Sequence, residues 1–376
     1  MGARPVRAAR ERSEQLILEL GRGTPFHFNR SPGMRNPFHT RSVVITGASA
    51  GLGRALADAF VRRRWRVALL ARGRDRLEAA EESYGANGSI PAASDVRTFQ
   101  VDVSDAAALE GIADQLAADW GGIDLWINNA MVTLFAPFSE TDAADFRRVI
   151  EVTFLGQVNG TRAALRHMQA RNAGTIVQMN SALGVRSIPL QSAYCAAKAA
   201  VRGFTDALRS ELLHEGSRVR LTTVYLPAIN TPQFNWACNR LPRRVRPVAP
   251  VFQPEAIAEQ VVKAALRAPR EVWIGRSTLE AILGTTAAPA WLDRMVARKA
   301  WDGQMTDEPV EGPQPGNLYA PAPERFGAHG RFDRSAHDAV ETYSPSWVRV
   351  AFGGLAALSV AALGWSAWIT ARRPPG

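Results

Sequence analysis

Residues 42–53 read SVVITGASAGLG, and this stretch decides the fold. The apolar, β-branched run Ser42 to Ile45 predicts a buried strand, and apolar residues at helical spacing follow from Leu52 to Val61. A strand, a glycine-rich turn and a helix are the context of a dinucleotide fingerprint, because the turn lets backbone N–H groups approach a pyrophosphate at the helix N-terminus. We therefore expect cofactor contacts from Gly47, Ser49, Ala50, Gly51, Leu52 and Gly53.

The rest of the chain continues this alternation of strand and helix. Strands are predicted at 42–46, 66–71, 97–101, 123–128, 174–179, 219–225 and 271–275, and helices at 51–64, 74–83, 105–119, 142–170, 192–215 and 254–267. Such alternation predicts an α/β fold: a Rossmann-like, doubly wound parallel sheet of about seven strands with helices on both faces. Ligands would bind at the carboxyl ends of the strands.

Tyr194 and Lys198 enclose the second informative stretch, YCAAK. Residues four apart share one face of a helix, so an ammonium there is expected to stabilise the phenolate and lower the pKa of the tyrosine. The hydroxyl of Ser181, brought alongside by the fold, would hydrogen-bond the oxygen whose charge changes in a reaction. The three residues predict a proton-transfer device suited to interconverting a carbonyl and an alcohol.

These two motifs, in this order, resemble the TGxxxGxG and YxxxK subgroup of the short-chain dehydrogenase/reductase family over about residues 41–275. Asn128-Asn129-Ala130, Asp102-Val103 and Pro227 also stand where that family has its NNAG segment, its adenine-contacting Asp and its PG turn. The resemblance implies a nicotinamide-dependent oxidoreductase acting on CH–OH and C=O groups. It implies Ser181, Tyr194 and Lys198 as catalytic residues, and cofactor contacts from Asp102, Val103, Asn129, Ala130, Tyr194, Lys198, Pro227 and Thr231.

Three positions depart from the family pattern. Met131 replaces the glycine after NNA, Ala228 replaces the glycine of the PG turn, and Thr153 replaces a helix Asn that helps to hold a water in the proton relay. Asn159 lies six residues beyond Thr153, on a different helical face, and is a poor substitute. We expect activity with an altered or slower relay.

Arg72 indicates which cofactor is preferred. It ends the second predicted strand, about 25 residues after Gly47, where an NAD site has Asp or Glu to accept from the ribose 2′-hydroxyl. A guanidinium fork instead suits a 2′-phosphate, and Arg54 is expected to add positive potential. The sequence therefore predicts NADP(H) in preference to NAD(H), although arginine is abundant throughout the chain.

A stretch of 25 residues, 229–253, separates the sixth strand from the next helix. Loops of this length are functional lids or disordered segments. By family resemblance it should cover the substrate, with Phe234, Trp236, Val251 and Phe252 as an apolar wall. Its arginines 240, 243, 244 and 246 either meet an anionic ligand or lipid headgroup, or form a solvated basic face.

Both ends of the chain are expected to be appendages to the 41–275 catalytic domain. Residues 1–40 are basic, have no signal-peptide core and are predicted to be disordered. Residues 276–348 form a C-terminal extension, helical over 278–299 and irregular or linker-like over the Pro/Gly-rich 307–334. Residues 349–373 contain an uncharged stretch, 350–371, long enough to cross a bilayer, with a buried terminal helix or an oligomer contact as the alternative.

The composition of the chain limits which binding partners and which cellular location are expected. The net charge of +10 is scattered, which favours an anionic membrane over nucleic acid. The two cysteines form no disulfide framework, and no His or Cys spacing predicts a metal site. We expect a cytoplasmic catalytic domain anchored to the cell (inner) membrane, or else a soluble cytoplasmic protein.

Two other functions remain open at this point. A non-catalytic NAD(P)-binding regulatory module is favoured only by Met131 and Thr153. Nucleotide-sugar epimerisation or dehydration ranks low, because the extended family members that perform it usually carry another glycine spacing. A homodimer that pairs through helices 142–170 and 192–215 is the default of the family.

Overall fold

The computed structural model describes residues 41–85, 95–323, 326–346, 348 and 350. Its central sheet has the spatial order β8-β7-β6-β5-β4-β1-β2-β3, parallel except for β8. The strands are β1 Ser42–Thr46, β2 Arg66–Ala71, β3 Val96–Gln100, β4 Leu125–Asn128, β5 Thr175–Ser181, β6 Arg220–Leu226, β7 Glu271–Ile274 and β8 Thr342–Tyr343. The predicted doubly wound parallel sheet is confirmed.

Helices cover both faces of this sheet. They are α1 Gly51–Arg62, α2 Arg74–Gly85, α3 Ala106–Trp120, α4 Ala143–Ile150, α5 Gly156–Ala170, α6 Ser192–His214, α7 Pro254–Arg267, α8 Arg276–Ala287 and α9 Pro289–Gly303. Alternation along β1 explains the two layers: Val43 and Ile45 belong to the core that contains α1 and α7, and Val44 belongs to the core that contains α3 and α5. All three side chains are fully buried.

The helix predicted over 142–170 carries an irregular turn. Residues 151–155 form a π-helical turn between α4 and α5, and Thr153 lies within it. Such turns insert one residue into the helical repeat and are common at functional sites. The hydroxyl of Thr153 accepts from Val132 N at 3.0 Å and donates to Val132 O at 2.8 Å, which joins the turn to the loop after β4.

The lid prediction for 229–253 is wrong in part. The segment is held by short pairings of 228–229 with 251–252, of 134–135 with 238–239, and of 243–245 with 305–309. Val251 and Phe252 are buried in the first of these pairings. They therefore do not line the substrate wall for which they were predicted.

The C-terminal extension is an integral part of the α/β unit in the described residues. The helix predicted over 278–299 is two helices, because Pro289 has no N–H to donate and begins α9. Residues 311–323 and 326–334, here called the strap, cross the carboxyl ends of the strands. The chain then returns to the sheet, where β8 pairs antiparallel with β7.

Two predicted segments lie outside the described residues: 1–40 and all but the first residue of the apolar stretch 350–371. Among the residues that the structure describes, no helix has both the length and the apolar character needed to span a membrane.

Candidate active site

A cavity of about 400 Å³ opens at the carboxyl ends of the strands. It reaches from the end of β2, past the glycine turn, to α6 and α8. All of the predicted catalytic and cofactor-binding residues line this cavity: Gly47, Ser49, Ala50, Gly51, Leu52, Gly53, Arg72, Asp102, Val103, Asn129, Ala130, Ser181, Tyr194, Lys198, Pro227 and Thr231.

The glycine turn is built by close backbone approach. Gly47 has φ +67°, a conformation that favours glycine, and a Cβ on Gly53 would lie 2.1 Å from the carbonyl oxygen of Gly47. Among the described residues, no side chain caps the N-terminus of α1, and the N–H of Gly51 there donates to Gly327 O at 3.0 Å. The start of this helix presents its positive dipole end to the cleft, which fits a pyrophosphate.

Asn129 holds this turn against β4. Its side-chain amide donates to Thr46 O at 3.0 Å and to Gly47 O at 3.2 Å, and its own backbone N–H donates to Thr46 Oγ1 at 2.9 Å. Asn129 therefore positions the turn as well as lining the cleft.

Ser181, Tyr194 and Lys198 meet on the opposite side of the cavity. Ser181 ends β5, and its hydroxyl lies close enough to that of Tyr194 to lower the pKa of the phenol. The same hydroxyl oxygen accepts from Leu183 N at 3.1 Å. The Nζ atom of Lys198 lies 5.6 Å from the centroid of the Tyr194 ring and donates to Met179 O at 2.7 Å. The fold thus brings together the three groups that the sequence placed 13 and 4 residues apart.

The pKa of Tyr194 moves in the direction opposite to the one expected. Burial of the phenol raises its pKa well above the ordinary value of 10.0, and the hydrogen bond with Ser181 offsets only part of this rise. Burial also lowers the pKa of Lys198 to about 7, which weakens the positive charge expected to acidify the phenol. Around neutral pH, Tyr194 is therefore protonated in this structure.

Arg72 lies where the sequence predicted, at the end of β2, but it already has partners. Its guanidinium donates to the carbonyls of Asn317, Leu318 and Tyr319 in the strap. The Nη1 atom of Arg72 lies 3.8 Å from Oδ2 of Asp102. Arg54 does not line the cavity, and its guanidinium bonds Asp58 and Ser83, so its contribution of positive potential stays a prediction.

The Asp102 carboxylate is fixed at the adjacent strand end. Burial alone would raise its pKa, but hydrogen bonds from Ser104 and Arg148 outweigh burial and hold the pKa below the ordinary 3.8. The loop after β3 thus presents an ionised carboxylate beside Arg72 and Arg148.

Comparison with known proteins bears directly on this geometry. Residues 41–238 match the family model described as short chain dehydrogenase. The chain belongs to the short-chain dehydrogenase family. It is an oxidoreductase of the class that acts on CH–OH and C=O groups with a nicotinamide cofactor.

Several relatives of this short-chain dehydrogenase are similar over most of their length. The uncharacterized oxidoreductase YxnA of Bacillus subtilis is 29% identical over 281 residues, covering 74% of this chain and 77% of YxnA. The 3-ketodihydrosphingosine reductase of Bos taurus is 30% identical over 229 residues, covering 60% of this chain and 68% of the relative.

Solved structures agree with the fold. A short-chain dehydrogenase from Streptomyces avermitilis has a TM-score of 0.56 at 26% identity and covers 70% of this chain and 97% of its own. A metagenomic short-chain oxidoreductase in complex with NADP has a TM-score of 0.51 at 26% identity and covers 61% of this chain and 95% of its own.

Gln157 is a site residue that the sequence analysis missed. Its side chain is buried behind Lys198 and donates to Met179 O at 3.1 Å and to Thr153 O at 3.3 Å. Because Lys198 bonds the same Met179 carbonyl, Gln157 links the lysine to the helix position where the family has Asn. Gln157 follows Thr153 by four residues, which is about one helical turn. This spacing is the feature of the sequence that could have identified Gln157.

The other two departures from the family pattern have local explanations. Ala228 lies in a short strand pairing with Val251, and its φ is not positive, so this position does not require glycine. Met131 lines the cavity beside Ala130, as expected from its position. Asn159 donates to Val103 O at 3.0 Å and so fastens the loop after β3.

The substrate side of the cavity is mostly apolar. Phe234, Trp236 and Val248 come from the 229–253 segment, and Ala281 comes from α8. Of the four arginines in that segment, only Arg246 lines the cavity. Arg240, Arg243 and Arg244 lie outside the cavity and form ion pairs with Asp142, Asp302 and Glu308. The predicted alternative of a solvated basic face therefore does not describe these three, because their charges are paired within the protein.

Proposed function

We propose that this enzyme reduces the carbonyl group of a lipophilic small molecule with NADPH, and oxidises the corresponding alcohol with NADP⁺. The observation that carries the proposal is the meeting of Ser181, Tyr194 and Lys198 in the wall of one cavity, with the Lys198 Nζ atom 5.6 Å from the centroid of the phenol ring. The nicotinamide cofactor, when bound, supplies or accepts the hydride.

The residues of this chain handle the proton and the substrate oxygen. In reduction, the phenol of Tyr194 donates its proton to the substrate oxygen as that oxygen gains negative charge, and the hydroxyl of Ser181 orients the carbonyl. Lys198 holds the nicotinamide ribose and, when protonated, stabilises the phenolate that remains.

The linkage through Gln157 supports a modified proton relay. Its amide connects the Met179 carbonyl, which Lys198 also contacts, with the Thr153 carbonyl in the π-helical turn. We propose that Gln157 orients Lys198 in place of the family's helix Asn.

The preference for NADP(H) rests on charge at the end of β2. Arg72 and Arg76 line this end of the cavity, and the residue that ends the strand bears no carboxylate. A guanidinium suits a 2′-phosphate. Two similar solved structures, the metagenomic oxidoreductase and an alcohol dehydrogenase from Thermococcus sibiricus, contain NADP and 5-hydroxy-NADP respectively. Arg72→Asp should weaken NADPH binding at least about 10-fold more than NADH binding, whereas unchanged NADPH affinity would dispose of the preference.

A lipophilic substrate is supported by the aromatic and aliphatic lining that Phe234, Trp236 and Val248 provide. It is also supported by the bovine relative, which is named for the reduction of 3-ketodihydrosphingosine. Ketones with long aliphatic chains are the first substrates to test.

NADPH oxidation across a panel of aliphatic and aromatic carbonyl compounds tests the activity, with Tyr194→Phe as the matched control. We expect kcat of the variant to fall about 10²–10⁴-fold, because the proton donor is lost and the ring is kept. Its NADPH affinity should stay within about two-fold, which separates catalysis from binding. Equal turnover by the two proteins would favour another proton donor, and no turnover by the wild type would favour the non-catalytic alternative.

We further propose membrane association through 350–371 and a homodimer that pairs through α4–α5 and α6. Cell fractionation with and without residues 345–376 tests the first proposal, which fails if the full chain does not sediment with membranes. Sedimentation velocity in mild detergent tests the second, which fails if the mass is that of one chain.

A further inference from the structure

The strap is held firmly against the α/β core in the described residues. Leu318 is 1% exposed and lies in the same apolar core as α3 and α5. The backbone N–H of Asn317 donates to Trp236 O at 2.8 Å, and that of Gly51 in the glycine turn donates to Gly327 O at 3.0 Å. Both stretches of the strap are therefore in contact with elements that line the cofactor cleft.

Strap carbonyls also hold cationic side chains at one end of this cleft. Arg72 donates to the carbonyls of residues 317–319, Arg76 to that of Ala322, and Arg148 to that of Leu318 at 3.2 Å. A backbone carbonyl oxygen is an uncharged acceptor. It can therefore orient a guanidinium without cancelling its positive charge. The strap thereby orients Arg72, the residue proposed to meet the 2′-phosphate.

Asn317 adds a polar group of its own. It lines the cavity, and its side-chain oxygen is buried without a hydrogen-bond partner among the residues that the structure describes. A buried amide oxygen without a partner is costly, and a ligand that supplies a donor removes that cost. Because the backbone carbonyl of Asn317 bonds Arg72, this amide belongs to the arginine end of the cleft.

We propose that the strap forms a wall of the cofactor site and that Asn317 is a cofactor-binding residue. Its amide oxygen accepts from a hydroxyl of the adenosine ribose, and its NH₂ group donates to the 2′-phosphate beside Arg72. This inference rests on the proposed use of NADP(H). It adds a determinant of affinity and specificity that comes from outside the region 41–275 resembling the family.

The role of the Asn317 amide is tested by titrating the full-length protein with NADPH and with NADH. Quenching of tryptophan fluorescence reports the binding of each dinucleotide. Asn317→Ala should weaken NADPH binding about 10-fold, the effect of losing hydrogen bonds to a charged ligand. Asn317→Asp places a negative charge beside the phosphate, so it should lower NADPH affinity at least about 10-fold more than NADH affinity.

Two strap glycines provide a matched pair for the role of the wall. Gly316 and Gly312 have φ +57° and +75°, so alanine strains both positions; a Cβ on Gly316 would lie 2.3 Å from Trp236 O, whereas a Cβ on Gly312 meets no atom within 4 Å. Gly316→Ala should shift the strap and weaken NADPH binding about 10-fold, and Gly312→Ala should change it less than about two-fold.

The outcomes distinguish the two proposals. If the wild type binds NADPH and both Asn317 variants bind it within two-fold of wild type, the role of the strap is overturned and the proposed function stands. If the wild type binds neither dinucleotide, the proposed function itself fails, and the inference fails with it. Melting temperatures show whether each variant is folded, and the Asn317 pair decides the question even if Gly316→Ala does not fold.

Discussion

The cofactor cleft has two walls that are stabilised in different ways. The inner wall consists of the glycine turn 46–53 and the Ser181, Tyr194 and Lys198 side chains, and backbone approaches and buried polar groups fix it. The outer wall is the strap, held by many separate hydrogen bonds to backbone carbonyls. A single substitution in the inner wall should therefore lower the free energy of unfolding strongly. A single substitution in the outer wall should lower it only slightly.

The largest effect is expected for Gly53→Ala. The new Cβ would lie 2.1 Å from the backbone oxygen of Gly47, which cannot move without opening the turn. We expect a loss of roughly 3 kcal/mol in the free energy of unfolding and loss of NADPH binding, measured by urea unfolding and titration. Gly111→Ala in α3, where a Cβ meets no atom within 4 Å, is the control and should gain up to about 1 kcal/mol. Equal stability of the two variants would contradict the role of close approach.

Lys198→Met should stabilise the protein while abolishing activity. The folded pKa of Lys198, about 7, lies below the ordinary 10.5, so the unfolded chain binds more protons between these pH values. The destabilisation caused by Lys198 is therefore complete below pH 7 and disappears as the pH approaches 10.5. We expect the variant to exceed wild type by about 2 kcal/mol at pH 6.5, with a smaller difference at pH 9.5.

Urea unfolding at these two pH values measures the effect. Lys299 is exposed on α9, and Lys299→Met should stay within about 0.5 kcal/mol of wild type at both pH values. If Lys198→Met gains the same stability at both pH values, burial does not shift the titration of this lysine.

Arg148→Met tests how the strap is joined to the loop after β3, because Arg148 contacts Asp102 and Ser104 in that loop and Leu318 O on the strap. We expect a loss of about 1–2 kcal/mol at pH 7, measured by urea unfolding. The depressed pKa of Asp102 contributes stability above its ordinary pKa of 3.8 that is lost as the pH falls through the folded value. The difference from wild type should therefore shrink below pH 4, and a constant difference would assign the loss to the strap contact alone.

The smallest effect is expected for Tyr319→Phe in the strap. The variant loses the bond from the phenol to Asp145 at 2.9 Å, but Asp145 keeps Arg240 as a partner and the ring is 57% exposed. We expect at most about 0.5 kcal/mol in urea unfolding and unchanged NADPH affinity. A loss comparable with that of Gly53→Ala would show that the outer wall also depends on single contacts.

Much of the inner wall was predictable because its constraints appear as residue types. Glycine at 47 and 53 is required by backbone geometry, and the strands β1, β2 and β4 carry the runs of apolar residues expected of a buried sheet. Tyr194 and Lys198 share a helical face. Local spacing therefore predicted that the two side chains lie close together, and the family resemblance implied their position in the cleft.

The strap was not predictable for a physical reason. Its contacts run from arginine side chains to backbone carbonyls, and every residue supplies a carbonyl, so no residue pattern marks the partners of Arg72 or Arg76. β8 was missed because two residues are too few to show alternation. The pKa direction of Tyr194 was missed because spacing indicates a nearby lysine but not the loss of water around both groups.

The strap follows the α/β core along the chain, and this order also matters during synthesis. Residues 41–275 leave the ribosome before residues 311–334, so the parallel sheet with its glycine turn can form while translation continues. Arg72 gains its carbonyl partners only once residues 317–319 have emerged. A nascent chain paused before that point would present the nucleotide groove without its outer wall.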